Sequence, residues 1–218
     1  MSMRRTKKLL LGTATGLAVL ATLGSGTLLT MHAANNVSSV TQTAAPTTAT
    51  ADGTKLTATK ASGTKQNYRV TYHDQTGDSQ ATFKQQTLGN AQTAKDEVDY
   101  VGKQTTGAPV KLTKQTKAVA QGVMGHTYVH WNTGKWSVTA VTDNADQAGT
   151  PEQFAKQVNR QLKRANLPSQ AKRGAVTVYS GDEAEQANTV QWQSGKHLYT
   201  VSGQSAATTV KLAQNSQD

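Results

Sequence analysis

Residues 128–142 read YVHWNTGKWSVTAVT, and this stretch decides the fold because it carries the strongest local structural signal in the chain. β-branched and aromatic residues flank a short polar connection that contains Gly134. Glycine supplies the positive φ that a short connection between strands needs, so the pattern predicts a β-hairpin with a loop of roughly three to five residues. The pattern indicates how the chain folds and names no ligand.

A second stretch, residues 189–203, repeats this pattern as TVQWQSGKHLYTVSG. When the tryptophans are aligned, Val129-x-Trp131-x-x-Gly134-Lys135 matches Val190-x-Trp192-x-x-Gly195-Lys196. Each of these two predicted hairpins, called ribbons below, follows a strand-like run of residues and precedes a helix-like run. The repeat therefore indicates a β-β-β-α duplication, with convergence of hairpins on similar turn chemistry as the alternative.

Apolar spacing outside the ribbons predicts another hairpin and further helices. Tyr68, Val70 and Tyr72 alternate with polar residues and lead through a turn at Gly77 into a returning strand at residues 81–83. Short strand-like runs are also predicted at residues 110–114, 117–124 and 175–179.

Helix signals occur at three places. Asn90 is an N-cap for a helix that we expect to end at Gly102. Thr150 and Gln153 form a Thr-x-x-Gln capping box, and a short last helix or a turn is expected at residues 205–213. Together these patterns predict an α+β fold: an antiparallel, curved sheet built from β-hairpins, with two or three packed helices.

Composition limits the size of the core and the available chemistry. The chain has 218 residues, of which 35% are hydrophobic and 5% aromatic, so we expect one modest domain plus extensions. It contains no cysteine. This excludes disulfides, thiol catalysis, cysteine-based zinc sites and the lipidated cysteine of a bacterial lipoprotein.

The first 64 residues indicate the expected compartment and the domain limits. Residues 1–8 are basic and residues 9–29 are apolar, which predicts that residues 1–34 form a secretory signal peptide or an uncleaved membrane anchor. Residues 35–64 are rich in Thr, Ala and Ser, so they are predicted to be a disordered linker. Residues 65–218 then form the folded domain, at the cell surface or outside the cell.

The formal net charge of +10 favours anionic partners. Four basic residues and no acid lie in residues 1–34, which leaves +6 for the rest of the chain. Phosphate-rich wall polymers and acidic lipid headgroups both fit such a charge. Charge alone does not separate these from nucleic acid, but no nucleic-acid partner is expected, and a solvated basic surface with no partner is the alternative.

Two sets of residues are candidate contact surfaces. The first is the basic face of the helix that begins near Thr150, continued into the segment after it: Lys156, Arg160, Lys163, Arg164, Lys172 and Arg173. The second is a pair of tryptophans, Trp131 and Trp136, which on one side of a hairpin could form a flat aromatic platform. A role in the core is the alternative for that pair.

Catalytic and metal signatures are absent from the sequence. It has no G-x-S-x-G, G-x-x-x-x-G-K-[ST], G-x-G-x-x-G or H-E-x-x-H motif, so we expect no enzyme, no cofactor and no metal. Two clusters of acidic residues are interpreted as solvated surface acids and not as catalytic pairs. They are Asp96, Glu97 and Asp99, and Asp182, Glu183 and Glu185. His126, His130 and His197 would need the fold to bring them together.

The closing pattern Trp192-x-x-Gly195-Lys196-x-x-Tyr199-x-Val201-x-Gly203, with residues 206–213 after it, resembles a unit found in small extracytoplasmic proteins of Gram-positive bacteria. Some of those proteins are distantly similar to LolA-type lipoprotein-sorting carriers. The resemblance implies an antiparallel sheet curved around helices and an apolar cavity. This chain departs from it in lacking the lipidated cysteine and in being poor in large apolar residues.

Three hypotheses follow from the sequence. The first is an exported, non-catalytic cell-surface protein that binds anionic wall polymer or membrane through the basic face. The second is a carrier or sensor of a small apolar ligand or lipid in a half-barrel cavity. The third is an extracellular hydrolase, which would need convergent polar groups in one cleft.

Overall fold

The computed structural model describes residues 45–145, 149–164, 166–181 and 187–216, together with the backbone of four residues nearer the amino terminus. Those four form two short antiparallel strands, β1 (Val19–Leu20) and β2 (Leu28–Leu29). The rest of the predicted signal or anchor, residues 1–34, lies outside the described residues. None of the described helices combines the length with the apolar character that a bilayer crossing requires.

Eleven further strands form one sheet that does not close. In chain order they are β3 (Thr48–Ala51), β4 (Thr54–Gly63), β5 (Asn67–His73), β6 (Gln80–Thr87), β7 (Ala108–Lys111), β8 (Lys117–Val123), β9 (His126–Thr133), β10 (Trp136–Asp143), β11 (Arg173–Tyr179), β12 (Asn188–Ser194) and β13 (His197–Gly203). Their order across the sheet is β3-β4-β5-β6-β13-β12-β11-β10-β9-β8-β7. Every neighbouring pair in this sheet is antiparallel except β10 and β11, which run parallel.

Both predicted ribbons are hairpins, but their loops are shorter than expected. Thr133 lies opposite Trp136, so two residues make the connection, and the same holds between β12 and β13. Gly134 and Gly195 have φ of 57° and 56°, while the lysine after each does not have a positive φ. This is the arrangement of a type II′ turn, whose twist matches that of the strands. The predicted length of three to five residues was therefore wrong.

The predicted disordered linker is also wrong for residues 48–63, which form β3 and β4. Asp52 and Gly53 join these strands in a two-residue turn with φ of 48° and 80°. Threonine is β-branched and suits strands, and Leu56, Ala58 and Ala61 of β4 are buried in the main core. Pairing of β4 with β5 offsets the ordering entropy that made this segment look disordered in isolation.

Three helices lie on the described part of the chain: α1 (Ala91–Asp96), α2 (Pro151–Arg164) and α3 (Ala206–Gln214). The capping box of α2 is confirmed, because the Gln153 backbone N–H donates to Thr150 Oγ1 at 3.2 Å and the Thr150 N–H donates to Gln153 Oε1 at 3.0 Å. Asn90 caps α1 as predicted, accepting from the Thr93 N–H at 2.9 Å.

The first helix ends at Asp96, well before the predicted end at Gly102. The chain after it crosses one face of the sheet and is held there by side chains of three strands. Gln191 accepts from the Asp99 N–H, Ser137 accepts from the Val101 N–H, and Asn132 donates to the Val101 carbonyl. These bonds to the sheet replace the bonds that a longer helix would have made.

Helices cover the two faces of the sheet unequally. α2 packs against β9 and β10, and α3 packs against β3, β12 and β13, over the main core. The largest fully buried side chains of that core are Trp131, Trp192, Tyr72 and Phe83. On the opposite face, α1 and the segment after it cover a small cluster that includes Val98, Ala175 and Leu198. An α+β protein with a mostly antiparallel sheet is therefore confirmed.

Candidate functional site

The solvent-facing side of α2 is basic, but its cations are not equivalent. Lys156 Nζ forms an ion pair with Glu152 Oε1 at 2.6 Å, and Lys163 Nζ donates to Thr116 Oγ1 at 3.3 Å. Arg160 and Arg164 are exposed. No described carboxylate pairs with either arginine. These two arginines are one helical turn apart and therefore project from the same side of α2.

Arg173 does not belong to this surface, which corrects the predicted set of six. Successive residues of a strand point to opposite faces, and Gly174 lies on the face covered by α2, directly beneath the Trp136 ring. Arg173 therefore lies on the other face, where its guanidinium carbon is 4.5 Å from the centre of the Tyr100 ring. Lys172 precedes β11 and is exposed.

A cleft of about 370 Å³ opens where α2, α3 and the β3–β4 turn meet. Its lining residues are Ala51, Asp52, Gln157, Arg160, Gln161, Arg164, Lys211 and Gln214. Seven of these eight side chains are polar or charged. Arg160 and Arg164, which pair with no described carboxylate, are thus joined by a lysine from α3 that the predicted basic face did not include.

Hydrogen bonds fix the walls of the cleft relative to one another. Gln161 Nε2, on α2, donates to the Ala207 carbonyl of α3 at 3.1 Å. Asn215 Nδ2, at the end of α3, donates to the Thr48 carbonyl of β3 at 3.2 Å. The buried side chains of Val158 and Leu212 anchor the two helices on the main core. A ligand would therefore meet a cleft whose three walls are already joined.

Charge in the cleft is positive but moderate. Three cations and the Asp52 carboxylate leave a formal charge of +2 among the lining residues. The cleft also lies at the carboxyl-terminal ends of α2 and α3, and each helix end contributes roughly half a negative charge. About one net positive charge therefore remains to attract a ligand. Part of the positive charge offsets the negative carboxyl-terminal ends of α2 and α3, because Arg164 and Lys211 lie in the last turns of these helices.

Sequence reasoning found Arg160 and Arg164 and missed the other cleft residues. Lys211 is a single lysine in a largely apolar helix, and Asp52 was assigned to a linker. Nothing in the local pattern connects them with α2, because residues 51 and 214 become neighbours only when both ends of the folded region pack together. The Asp-Gly pair at Asp52 was a usable signal for a hairpin turn.

The tryptophans predicted as a platform form part of the core instead. Trp131 and Trp136 are 2% and 8% exposed, respectively, so neither offers a flat surface to a sugar or lipid. They are on the same face of the hairpin, but Trp131 lies opposite Val138 and Trp136 opposite Thr133. α2 packs over this part of the sheet and closes it to solvent.

Among the described residues, the candidate acids and histidines do not converge on one site. Asp96, Glu97 and Asp99 are exposed, while Asp182, Glu183 and Glu185 lie outside the described residues. His130 and His197 are on opposite faces of the sheet by strand alternation. Within the described ranges, no group of three His, Asp or Glu side chains could hold a metal ion.

His130 occupies a distinctive environment on the face covered by the segment after α1. It is 6% exposed, and its Nδ1 lies 3.2 Å from Thr139 Oγ1. Burial lowers the pKa of this imidazole. Burial therefore favours the neutral form of the His130 imidazole on this face of the sheet.

The fold defines an α+β protein with an unclosed sheet and a basic, polar cleft at one corner. No protein-family model matches the chain, and neither a curated protein nor a solved structure matches it.

Proposed function

We propose that this chain is an exported, non-catalytic cell-surface protein that binds an anionic polymer of the cell wall through the basic side of α2 and the adjoining cleft. The cleft carries this proposal, because it gathers Arg160, Arg164 and Lys211 with no described carboxylate close enough to pair with them. Export is supported by the basic and then apolar residues 1–34. The contact surface is the predicted set without Arg173, and with Lys211 added.

Binding to purified wall in a sedimentation assay tests this function. A variant with glutamine at five positions, Lys156, Arg160, Lys163, Arg164 and Lys172, removes five positive charges from the α2 side. The matched control places glutamine at five exposed lysines elsewhere: Lys60, Lys65, Lys95, Lys103 and Lys117. We expect the first variant to lose retention and the control to keep most of it. Equal losses would show that only total charge matters, and absence of wild-type retention at low salt would reject the function.

Anionic membrane is the other surface that the charge fits. Vesicles of phosphatidylglycerol, run in the same assay, distinguish it from wall polymer. The polar lining of the cleft favours wall polymer, because membrane-binding surfaces combine basic residues with exposed apolar ones. Stronger retention on vesicles than on wall would assign the surface to the membrane.

A carrier of a small apolar ligand or lipid is the second candidate function. It is favoured by the unclosed sheet with two helices on one face, an architecture that the resemblance to LolA-type carriers implies. The polar lining of the cleft and the large side chains beneath the helices speak against it. Saturable binding of a fluorescent fatty acid by the full chain would support the carrier, and its absence would remove it.

We also infer that β8-β9-β10-α2 and β11-β12-β13-α3 descend from one duplicated unit. Trp131 and Trp192 are both fully buried in the same core, and each lies opposite the residue seven positions further on. The two turns also have the same length and the same glycine geometry. The parallel pairing of β10 with β11 is what a tandem repeat of three strands and a crossover helix produces.

A further inference from the structure

We propose that the cleft between α2, α3 and the β3–β4 turn is a defined binding site for one repeating unit of a phosphodiester-linked polyol or sugar. This inference rests on the proposed function and names the ligand class of the same site. A flat basic surface would hold any anionic polymer loosely. A cleft of about 370 Å³ is instead within the size range of small-molecule sites, which run from roughly 300 to 1,000 Å³.

The charge of the cleft selects a monoanionic group. Its three cations and one carboxylate, reduced by the two helix ends, leave about one positive charge. A phosphodiester carries a single negative charge and presents oxygens that two arginines and a lysine can reach together. Arg160 and Arg164 approach it from α2, and Lys211 approaches it from α3.

The remaining lining residues select hydroxyl groups beside the phosphate. The Gln157 amide can both donate and accept hydrogen bonds, and Gln161, whose Nε2 donates to the Ala207 carbonyl, keeps its Oε1 as an acceptor. The Asp52 carboxylate accepts only, so a neighbouring hydroxyl or ammonium group satisfies it while a second phosphate would be repelled. The cleft therefore fits a phosphate flanked by hydroxyls.

The same lining disfavours the other common phosphodiesters. Single-stranded nucleic acid is held by aromatic side chains on which its bases stack, and no aromatic residue lines this cleft. A phospholipid would need an apolar wall for its acyl chains, whereas Ala51 is the one apolar side chain in the lining. The sheet face beneath the helices is occupied by Trp131 and Trp192.

The test measures binding of a fluorescently labelled, synthetic glycerol phosphate oligomer to the full chain by fluorescence polarisation. The cleft variant is Arg164→Gln with Lys211→Gln, and its matched control is Lys103→Gln with Lys117→Gln. We expect the cleft variant to bind roughly tenfold more weakly or worse, because two charge-assisted hydrogen bonds are removed, while the control changes less than about twofold. Equal effects of the two variants would overturn the site.

Replacing Asp52 gives an outcome that misfolding cannot imitate. Asp52→Asn keeps a residue that tolerates a φ of 48° and removes the negative charge next to the ligand. We expect tighter binding of the oligomer, by about two- to fivefold, because the repulsive charge is lost while the amide oxygen of the new residue still accepts from a ligand hydroxyl. Unchanged or weaker binding would place the phosphate away from this turn and contradict the proposed orientation.

A further variant and further probe ligands distinguish failure of this inference from failure of the proposed function. If Lys156→Gln, Lys163→Gln and Lys172→Gln together weaken binding while the cleft variant does not, the basic side of α2 binds wall polymer and the cleft is not its site. Wild-type chain that binds neither wall nor oligomer rejects both. Tighter binding of polyglutamate, single-stranded DNA or phosphatidylglycerol vesicles than of the oligomer overturns the polyol assignment.

Discussion

At the scale of single residues, the parallel pairing of β10 with β11 depends on one glycine. Gly174 lies opposite Trp136 in that pairing, and a Cβ added at residue 174 would overlap the indole ring at Cε3, Cζ3 and Cδ2. Trp136 is itself buried and cannot move outward without exposing the core. The glycine therefore lets a large aromatic side chain lie flat on the neighbouring strand.

We expect Gly174→Ala to lower the free energy of unfolding by about 1–3 kcal/mol, because the extra methyl group overpacks the site. Gly122→Ala is the matched control, since nothing lies within 4 Å of its added Cβ and its φ is not positive. Urea unfolding followed by circular dichroism measures both. Equal stability of the two variants would show that Trp136 can move aside at little cost.

Burial of His130 predicts a loss of stability in mild acid. Burial lowers the pKa of His130 in the folded chain, so the unfolded state binds the proton more tightly. The stabilising effect is fully present above the unfolded pKa of about 6.5 and is lost as the pH falls below it towards the folded pKa. Burial also lowers the pKa of His197, so that group contributes in the same direction.

Replacing the imidazole tests the contribution of His130. We expect His130→Gln to reduce the loss of unfolding free energy between pH 7 and pH 5, measured in urea at each pH, because the proton-binding group is gone. His73→Gln, at a partly exposed position of β5, is the control. A pH dependence that is the same in the two variants would contradict the assignment.

At the scale of elements, local patterns were enough where a few neighbouring residues make the structure. The hairpins around Gly134 and Gly195, the capping box of α2 and the Asn90 cap were all predicted and confirmed, because each rests on bonds between residues close in the chain. The end of α1 was predicted wrongly, because hydrogen bonds with Gln191, Ser137 and Asn132, which lie in strands distant in the chain, determine where the helix stops.

The capping box gives a prediction at this scale. Thr150→Ala removes the acceptor for the Gln153 N–H, and we expect it to cost about 1 kcal/mol of stability. Thr105→Ala, at an exposed loop position, is the control. Because α2 carries one wall of the cleft, the same variant should also weaken oligomer binding modestly. An unfolding midpoint equal to that of the control would mean that core packing alone fixes the start of α2.

At the scale of the whole molecule, the net charge of +10 sets how binding responds to salt. We expect wall retention of the wild-type chain to fall steeply between about 0.1 M and 1 M NaCl, as the screening length shrinks from ~10 Å to ~3 Å. Oligomer binding in the cleft should fall less, since its three cations act at short range. Retention that does not change with salt would indicate an uncharged mode of attachment.

The sequence by itself determined the hairpins, the helix caps, the basic side of α2 and the α+β class, because turn chemistry and apolar periodicity act over a few residues. Only the tertiary structure decided three other features. It ordered β3 and β4 by pairing them with β5, it turned Arg173 to the opposite face, and it brought Asp52 and Lys211 to the arginines of α2. Each of these depends on contacts between residues far apart in the chain, whose free energy no local pattern records.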